Sequence, residues 1–171
     1  VKQMTLIYEK TRLASGLHAH AWDSAKAQKW ADPQTGRSPQ VWGRAMGWFV
    51  MAHADVLSAL PKTHPGYEKL AAQMKSLLDA VMAARGGDLL WHQVMDMPAN
   101  EENYAESSCS AMFIYGLCRG AELGLCGEEA VKAARESMDA LWEKNVVIAA
   151  DGYPELTKIC KVAGLGGEPY R

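Results

Sequence analysis

The chain has 171 residues and a net charge of -2, and 49% of its residues are hydrophobic and 22% charged. This length can bury the core of a single domain, and the composition is not that of a disordered chain. The near-neutral charge supplies no basic field for nucleic acid or an anionic membrane surface, and no apolar run is long enough to span a bilayer. Six tryptophans against two phenylalanines indicate a stacking site, because a core built for packing alone more often uses Phe and Leu.

Two kinds of helix alternate along the chain. Residues 1–13 form an amphipathic segment that resembles the end of a longer helix, and residues 41–60 are apolar almost all the way round, as in helices buried on every side. Residues 65–85 place apolar side chains at i, i+3, i+4 and i+7, which predicts a helix packed on one face. Residues 107–123 repeat the fully apolar pattern, and residues 128–144 repeat the amphipathic one.

This alternation predicts an inner and an outer layer of helices, arranged as an open solenoid or as a closed α/α ring. Inner helices without a polar face favour the closed ring, because a solenoid exposes its inner helices. Gly43 and Gly47, four residues apart in the first apolar helix, allow another element to approach it closely. A similar loop recurs roughly every 65 to 70 residues, and such rings commonly use six hairpins. Residues 1–171 are therefore expected to form one all-α domain that is about half of an (α/α)6 toroid, truncated at both ends.

The four cysteines show no C-x-x-C spacing and no paired His cluster, so a structural zinc site is not indicated. Cys109 and Cys118 lie within an apolar helical segment and are expected to be small core residues. Reduced thiols favour a cytoplasmic location.

The first candidate cluster is the loop 16–23, which contains His18, His20 and Trp22. Two histidines at i, i+2 are a weak metal signal, because no carboxylate or cysteine stands at ligand spacing and a site needs three or four ligands. No metal is therefore expected. A histidine bonded to the backbone of its own loop is the structural alternative.

The second cluster surrounds the start of the apolar helix 41–60 and contains Trp42, Arg44 and Trp48. A guanidinium in the first turn opposes the helix dipole, and burying it unpaired is costly. Arg44 is therefore expected to face a carboxylate from the protein or from a ligand. The indoles supply flat apolar walls of the kind that stack on sugar rings. A tryptophan core with Arg44 in an internal ion pair is the alternative.

The third cluster lies between the second amphipathic helix and the second apolar helix. His92 and Gln93 offer hydrogen-bonding groups to hydroxyls, and Asp96 and Glu106 are candidate acids. Glu106 also fits the start of a helix, where a carboxylate is favourable, and that interpretation is preferred.

These clusters resemble the signature segments of glycoside hydrolase family 105, the unsaturated rhamnogalacturonyl hydrolases, with the related family 88 unsaturated glucuronyl hydrolases a close second. The resemblance runs in order over nearly the whole chain, and the Trp-Gly-Arg-Ala-Met-Gly-Trp segment that begins at Trp42 is its most specific part. The matching segments are residues 17–23, 38–48, 91–96, 103–113 and 162–167.

The resemblance implies a six-hairpin α/α toroid that releases a 4,5-unsaturated uronic acid from the non-reducing end of lyase-generated pectin oligosaccharides. The family hydrates a vinyl ether instead of using two carboxylates at the anomeric carbon. An aspartate protonates the double bond and activates water, and the resulting hemiketal rearranges and releases the aglycone. The implied partner is an oligosaccharide with an unsaturated uronate, and no metal or cofactor is implied.

By motif position, Arg44 corresponds to a residue near the sugar carboxylate, Trp42 and Trp48 to walls of the pocket, and His20 to a hydrogen-bonding group. The full predicted substrate-binding set comprises His20, Trp22, Trp42, Arg44, Trp48, His92 and Gln93. The family's catalytic aspartate belongs to a motif upstream of the His-bearing loop. Residues 1–15 contain no Asp, so the acid is expected upstream of this chain.

A function of a different class remains open. A non-catalytic helical-repeat module could bind carbohydrate or a protein partner through its Trp-bearing loops. A full gene product without the aspartate would favour this alternative.

Overall fold

The computed structural model describes residues 1–165 as five α-helices followed by a short β-hairpin. The helices are α1 (Lys2–Thr11), α2 (Gly43–Ala59), α3 (Tyr67–Ala83), α4 (Ser107–Glu122) and α5 (Glu128–Asn145), and the strands are β1 (Val146–Ile148) and β2 (Pro154–Leu156). The strands pair antiparallel, with Val146 opposite Leu156. All five predicted helices are confirmed. The matching segment 162–167 is described only as far as residue 165, and its remainder lies outside the described residues.

None of the helices within residues 1–165 has both the length and the apolarity needed to cross a bilayer.

The apolar stripe of α3 lies at the centre of the core. Leu70, Met74, Leu77 and Val81 are all fully buried, whereas the intervening Lys75 is exposed. Burying one such apolar side chain stabilises a fold by about 1.5–3 kcal/mol. The stripe therefore holds α3 against α2 and α4, the two helices that it contacts most closely.

The helices form the two predicted layers, with α2 and α4 inside and α1, α3 and α5 outside. The inner helices pack most extensively against each other, α3 packs against both, α5 packs against α4, and α1 packs against α3. Glycines permit the close approach of α2 and α4. A Cβ atom at Gly47 would lie 2.7 Å from the Met112 sulfur, and one at Gly116 would overlap Val50. The predicted role of the α2 glycines as points of close approach is confirmed.

The prediction that both inner helices are buried on every side holds only in part. Within the described chain, α2 exposes 59% of Trp48 and also exposes Ala52. Cys109 is buried as expected, but Cys118 is exposed, so its assignment to the core is wrong. Apolar character alone does not specify burial for small residues such as Ala and Cys, which are found in both environments.

The segment after β2 returns to the start of α4. The Ser107 hydroxyl donates to the Thr157 carbonyl (2.6 Å), and the Ser107 N–H donates to the Lys158 carbonyl (3.0 Å). Asn145, at the end of α5, donates through Nδ2 to the Ser107 Oγ (2.9 Å) and accepts from the Thr157 hydroxyl (2.7 Å). The hairpin thus places residues 157–160 beside the N-terminus of α4.

Candidate functional site

The first turn of α2 is held by a neighbouring loop. Trp42 precedes the helix in an extended conformation (φ −81°, ψ 121°) and forms an antiparallel bridge with Val94. The Gly43 N–H donates to the Gln93 carbonyl at 2.8 Å. A Cβ atom at Gly43 would lie only 2.8 Å from the Cys109 sulfur, so glycine lets this turn sit close to α4.

Three of the predicted site residues form one cluster on this turn. The rings of His20 and Trp42 lie 4.7 Å apart between centroids, inclined at 59°, and the Cζ atom of Arg44 lies 4.9 Å from the Trp42 ring. The indole is therefore in contact with both an imidazole and a guanidinium. Burial lowers the pKa of His20 from its ordinary 6.5, so at neutral pH its imidazole is uncharged and carries one donor and one acceptor.

Arg44 has no carboxylate partner among residues 1–165. Its Nη1 group donates to the Cys160 carbonyl (2.5 Å) and to the Ser108 hydroxyl (3.5 Å). Both acceptors are neutral, and these are the polar contacts of its side chain within the described residues. The alternative of an internal ion pair is therefore not observed in this part of the chain. A guanidinium has five N–H donors, and those on Nε and Nη2 are left for other acceptors.

Glu106 is fully buried and is linked to Arg44 through the Ser108 hydroxyl. Its carboxyl oxygens accept the N–H groups of Ser108 (3.1 Å), Cys109 (2.7 Å) and Cys160 (2.9 Å), and the Ser108 hydroxyl at 2.8 Å. Glu106 is the N-cap of α4. The interpretation of Glu106 as a residue of the helix start is confirmed.

Trp48 stands beside a cavity of about 260 Å³ between α1, the loop 16–23 and α2. Its lining residues include Thr11, His18, His20, Trp48 and Phe49. The structure therefore brings Trp48 and His20 to one concave surface.

Trp22 is tied into its own loop. Its indole N–H donates to the Thr35 carbonyl (3.1 Å), and the Lys10 ammonium lies 5.3 Å from its ring centroid. Trp22 makes no ring contact with His20 or Trp42 among the described residues, so the structure does not join it to the cluster.

The side chains of His92 and Gln93 are not part of the cluster formed by His20, Trp42 and Arg44 in the described residues. The His92 Nε2 atom lies 4.0 Å from the Asp88 carboxylate, on the loop that follows α3. Gln93 lines a second cavity of about 190 Å³ together with Asn103 and Tyr104. Its Oε1 atom is buried and accepts no hydrogen bond from residues 1–165.

Two other carboxylates of the candidate clusters hold loop backbone. The Asp96 Oδ1 atom accepts the Val41 N–H at 2.9 Å. Asp23 accepts several N–H groups of its own loop, and the bond from Gln28 contributes most to lowering its pKa. Within residues 1–165, no three His, Cys, Asp or Glu side chains are grouped so that they could hold a metal ion.

The family model of Glycosyl Hydrolase Family 88 matches residues 1–171. The chain belongs to this family. Protein Atu3128 of Agrobacterium fabrum (strain C58 / ATCC 33970) is 41% identical over 171 residues, which are 98% of this chain and 73% of that protein.

Solved structures confirm the fold of this family 88 chain. The glycoside hydrolase from family 105 of C. acetobutylicum ATCC 824 is 36% identical, with a TM-score of 0.92 over 99% of this chain and 48% of the other. The unsaturated glucuronyl hydrolase of Bacillus sp. GL1 is 16% identical, with a TM-score of 0.63 over 87% and 40%, and shares the fold. The chain spans about half the length of these structures. The predicted (α/α)6 toroid, about half of it present here, and the resemblance to families 105 and 88 are confirmed.

Sequence reasoning missed one residue in contact with Arg44 in this family 88 chain, Cys160. Cys160 also lies close to Tyr104, where burial, followed by the proximity of Cys160 and Glu106, raises the pKa of the Tyr104 hydroxyl to about 12. Cys160 contributes a backbone carbonyl from 116 residues away in sequence. A backbone contact at that separation leaves no signal in residue types.

Proposed function

We propose that this chain is the sugar-binding half of an unsaturated glycuronyl hydrolase. The proposed enzyme removes a 4,5-unsaturated uronic acid from the non-reducing end of lyase-generated pectin oligosaccharides of the rhamnogalacturonan type. One observation carries the proposal. Arg44 lies against Trp42 in the first turn of an inner helix, and neutral groups hold it within residues 1–165.

A carboxylate is the ligand group that best matches Arg44. The Nη1 group is engaged by Cys160 and Ser108, and the remaining donors of the planar fork can bind two carboxylate oxygens side by side. Partial burial of Arg44 lowers the effective dielectric and strengthens such a contact. These properties favour an acidic sugar over a neutral one.

The groups around Arg44 suit the rest of a sugar ring. The faces of Trp42 and Trp48 offer flat apolar surface to the ring C–H groups. The neutral imidazole of His20 can donate or accept at a hydroxyl, and the buried Trp42 Nε1–H has no acceptor among residues 1–165. The combination of flat walls and a few polar groups is typical of small-ligand sites.

The reaction proposed is hydration of a vinyl ether. A proton adds to C4 of the C4=C5 double bond, and water adds at C5 and loses a proton, which gives a hemiketal. Opening of the hemiketal breaks the bond between C5 and the ring oxygen and leaves C1 as a hemiacetal. The hemiacetal then expels the aglycone as an alcohol. One water is consumed, and no oxidant or metal takes part.

We place the proton donor in the other half of the ring. A general acid must reach the reacting carbon, whereas Glu106 is fully buried and bound by three backbone N–H groups. Asp96 and Asp23 are likewise engaged by loop backbone. The known chemistry of the resembling family, with its aspartate upstream of the His-bearing loop, supports the same placement.

The choice of the rhamnogalacturonan substrate is supported by sequence identity. The chain is 36% identical to the family 105 structure but 16% identical to the unsaturated glucuronyl hydrolase. A family 105 substrate is therefore favoured for the whole protein.

The test uses the intact protein that contains this chain. Unsaturated rhamnogalacturonan disaccharide and an unsaturated glucuronyl disaccharide are supplied separately, and loss of the ultraviolet absorbance of the conjugated uronate is followed. We expect a higher kcat/KM on the first substrate and a large loss in Arg44→Ala. The matched control is Arg135→Ala, which removes an exposed arginine of α5 and should leave activity unchanged.

The non-catalytic alternative predicts a different result. A module that only binds sugar would retain the disaccharide, measured by calorimetry, while the ultraviolet absorbance persisted. That outcome would refute the enzymatic proposal.

A further inference from the structure

Glu106 accepts more hydrogen bonds than a helix cap requires. An N-cap side chain satisfies one or two N–H groups of its own helix, and Glu106 does so through Ser108 and Cys109. It also accepts the Cys160 N–H, which comes from a segment 54 residues away. No Lys or Arg within residues 1–165 forms an ion pair with Glu106. Its hydrogen bonds therefore offset the cost of burying its carboxylate.

Two of the residues bound to Glu106 also contact Arg44. The Ser108 hydroxyl donates to Glu106 at 2.8 Å and accepts from the Arg44 Nη1 group at 3.5 Å. Cys160 donates its N–H to Glu106 at 2.9 Å and accepts from the same Nη1 group through its carbonyl at 2.5 Å. The carboxylate and the guanidinium are thus joined by two bridges, each one residue long.

We propose that Glu106 is a positioning residue that fixes the orientation of the Arg44 guanidinium through Ser108 and Cys160. The inference deepens the proposed function, because Arg44 is there the group that binds the uronate carboxylate. Ser108 and Cys160 hold the Nη1 group of Arg44 from different parts of the chain. The Trp42 ring lies against the guanidinium. The remaining donors are then presented in one orientation before the ligand arrives, which reduces the entropy lost on binding.

The charge of Glu106 also strengthens the bridges. Hydrogen bonds in series polarise one another where the effective dielectric is low. A carboxylate that accepts from the Ser108 hydroxyl makes the oxygen of that hydroxyl a better acceptor for Arg44. A neutral residue at position 106 would lack this effect and would leave the Cys160 N–H without its acceptor.

The first experiment removes one bridge in the intact protein. Ser108→Ala deletes the hydroxyl, and its matched control is Ser110→Ala on the same helix. The Ser110 hydroxyl is buried and bonds the Trp91 backbone, away from Arg44. We expect the Kd for the unsaturated uronate, and KM, to rise about threefold to tenfold in Ser108→Ala with kcat within about twofold. Ser108→Thr, which restores a hydroxyl, should recover most of the affinity.

The second experiment changes the carboxylate. In Glu106→Gln, the amide nitrogen is a donor that would face the N–H group of Cys109 or Cys160, so one of these two hydrogen bonds is lost. Side-chain ¹⁵N NMR of arginine, assigned with Arg44→Lys, reports rotation of the Arg44 guanidinium independently of activity. We expect hindered rotation in the wild-type protein and faster rotation in both Glu106→Gln and Ser108→Ala.

The two readouts separate the two proposals. Unchanged Arg44 signals in Ser108→Ala would overturn the positioning role, even if Glu106→Gln failed to fold. Faster Arg44 rotation in a protein that binds and cleaves no unsaturated uronate would uphold the positioning role and refute the proposed function.

Discussion

The Cζ atom of Arg44 lies 4.9 Å from the centroid of the Trp42 indole, although the two residues are only two positions apart. Residues at i and i+2 of a continuous α-helix do not face each other. They meet here because Trp42 precedes the helix in an extended conformation, and α2 begins at Gly43. The bridge between Trp42 and Val94 maintains this geometry. The site thus depends on where the helix begins as well as on which residues it contains.

Replacement of Arg44 by lysine tests the shape of this contact. Arg44→Lys retains the charge but loses the planar fork that binds two oxygens. We expect kcat/KM for the unsaturated uronate to fall, with a loss of transition-state stabilisation of at least about 2 kcal/mol. The loss should be larger in Arg44→Ala. Steady-state kinetics measure both. Full activity in Arg44→Lys would mean that charge alone suffices and that two-point binding plays no part.

Trp48 is predicted to act on affinity with little effect on stability. Since Trp48 is 59% exposed, Trp48→Ala should change the free energy of unfolding by less than about 1 kcal/mol. Removing a stacking wall should nevertheless raise KM for the disaccharide severalfold. The contrasting control is Trp91→Ala, where loss of a fully buried indole should cost about 3–5 kcal/mol. Urea unfolding and steady-state kinetics on the same samples measure the free energy of unfolding and KM. An unchanged KM in Trp48→Ala would show that Trp48 does not stack on the disaccharide.

Periodicity predicted the helices because their stability comes from apolar faces. The stripe of α3 is visible as Leu70, Met74 and Leu77 at helical spacing, and each of these side chains is fully buried. The layer assignment followed from the same pattern. The start of α2 was placed two residues early, because Val41 is apolar and buried but belongs to the loop that pairs with residues 92–96.

The cluster around Arg44 could be predicted only in part. Trp42 and Arg44 are two positions apart, so the sequence places both at the start of α2, but their contact depends on the extended conformation of Trp42. His20 was added to them through motif resemblance. Cys160 could not be found in this way, since it contributes a carbonyl oxygen, which every residue type has. Trp22 shows the converse, because its aromatic type suggested a wall while its indole N–H bonds its own loop.

Gly43 is predicted to be essential for the placement of the Trp42–Arg44 turn. In Gly43→Ala, the new Cβ atom would lie 2.8 Å from the Cys109 sulfur and 2.9 Å from the His92 carbonyl, and the latter cannot move without its loop. We expect a loss of about 1–3 kcal/mol in the free energy of unfolding and a rise in KM, because the turn must shift. The control is Gly87→Ala, where a Cβ atom meets nothing within 4 Å. Equal stability and KM in the two variants would contradict a tight fit at Gly43.

His18 is predicted to make the protein sensitive to acid. The Thr11 hydroxyl donates to the Ile7 carbonyl and lies 2.8 Å from the His18 Nδ1 atom, so Nδ1 carries the proton and Nε2 does not. The Nε2 atom is buried and has no partner among residues 1–165. Burial, followed by the neighbouring charges of His53 and Arg12, lowers the pKa of His18 to about 3.

The sign of the pH effect follows from this lowered pKa. Above the unfolded pKa of 6.5, the ring is neutral in both states. Between pH 6.5 and about pH 3, the unfolded chain takes up a proton that the folded chain does not. The free energy of unfolding therefore decreases as the pH is lowered through this range. Between pH 7 and pH 4 the loss due to His18 should be about 3 kcal/mol. Urea unfolding across this range should show a shallower decline in His18→Phe than in the wild type or in His64→Gln, which alters an exposed histidine. Phenylalanine preserves the aromatic contacts, because Tyr8 and Phe49 pack against the His18 ring with centroid distances of 4.8 and 5.1 Å. An identical decline in all three proteins would show that His18 does not govern the loss of stability at low pH.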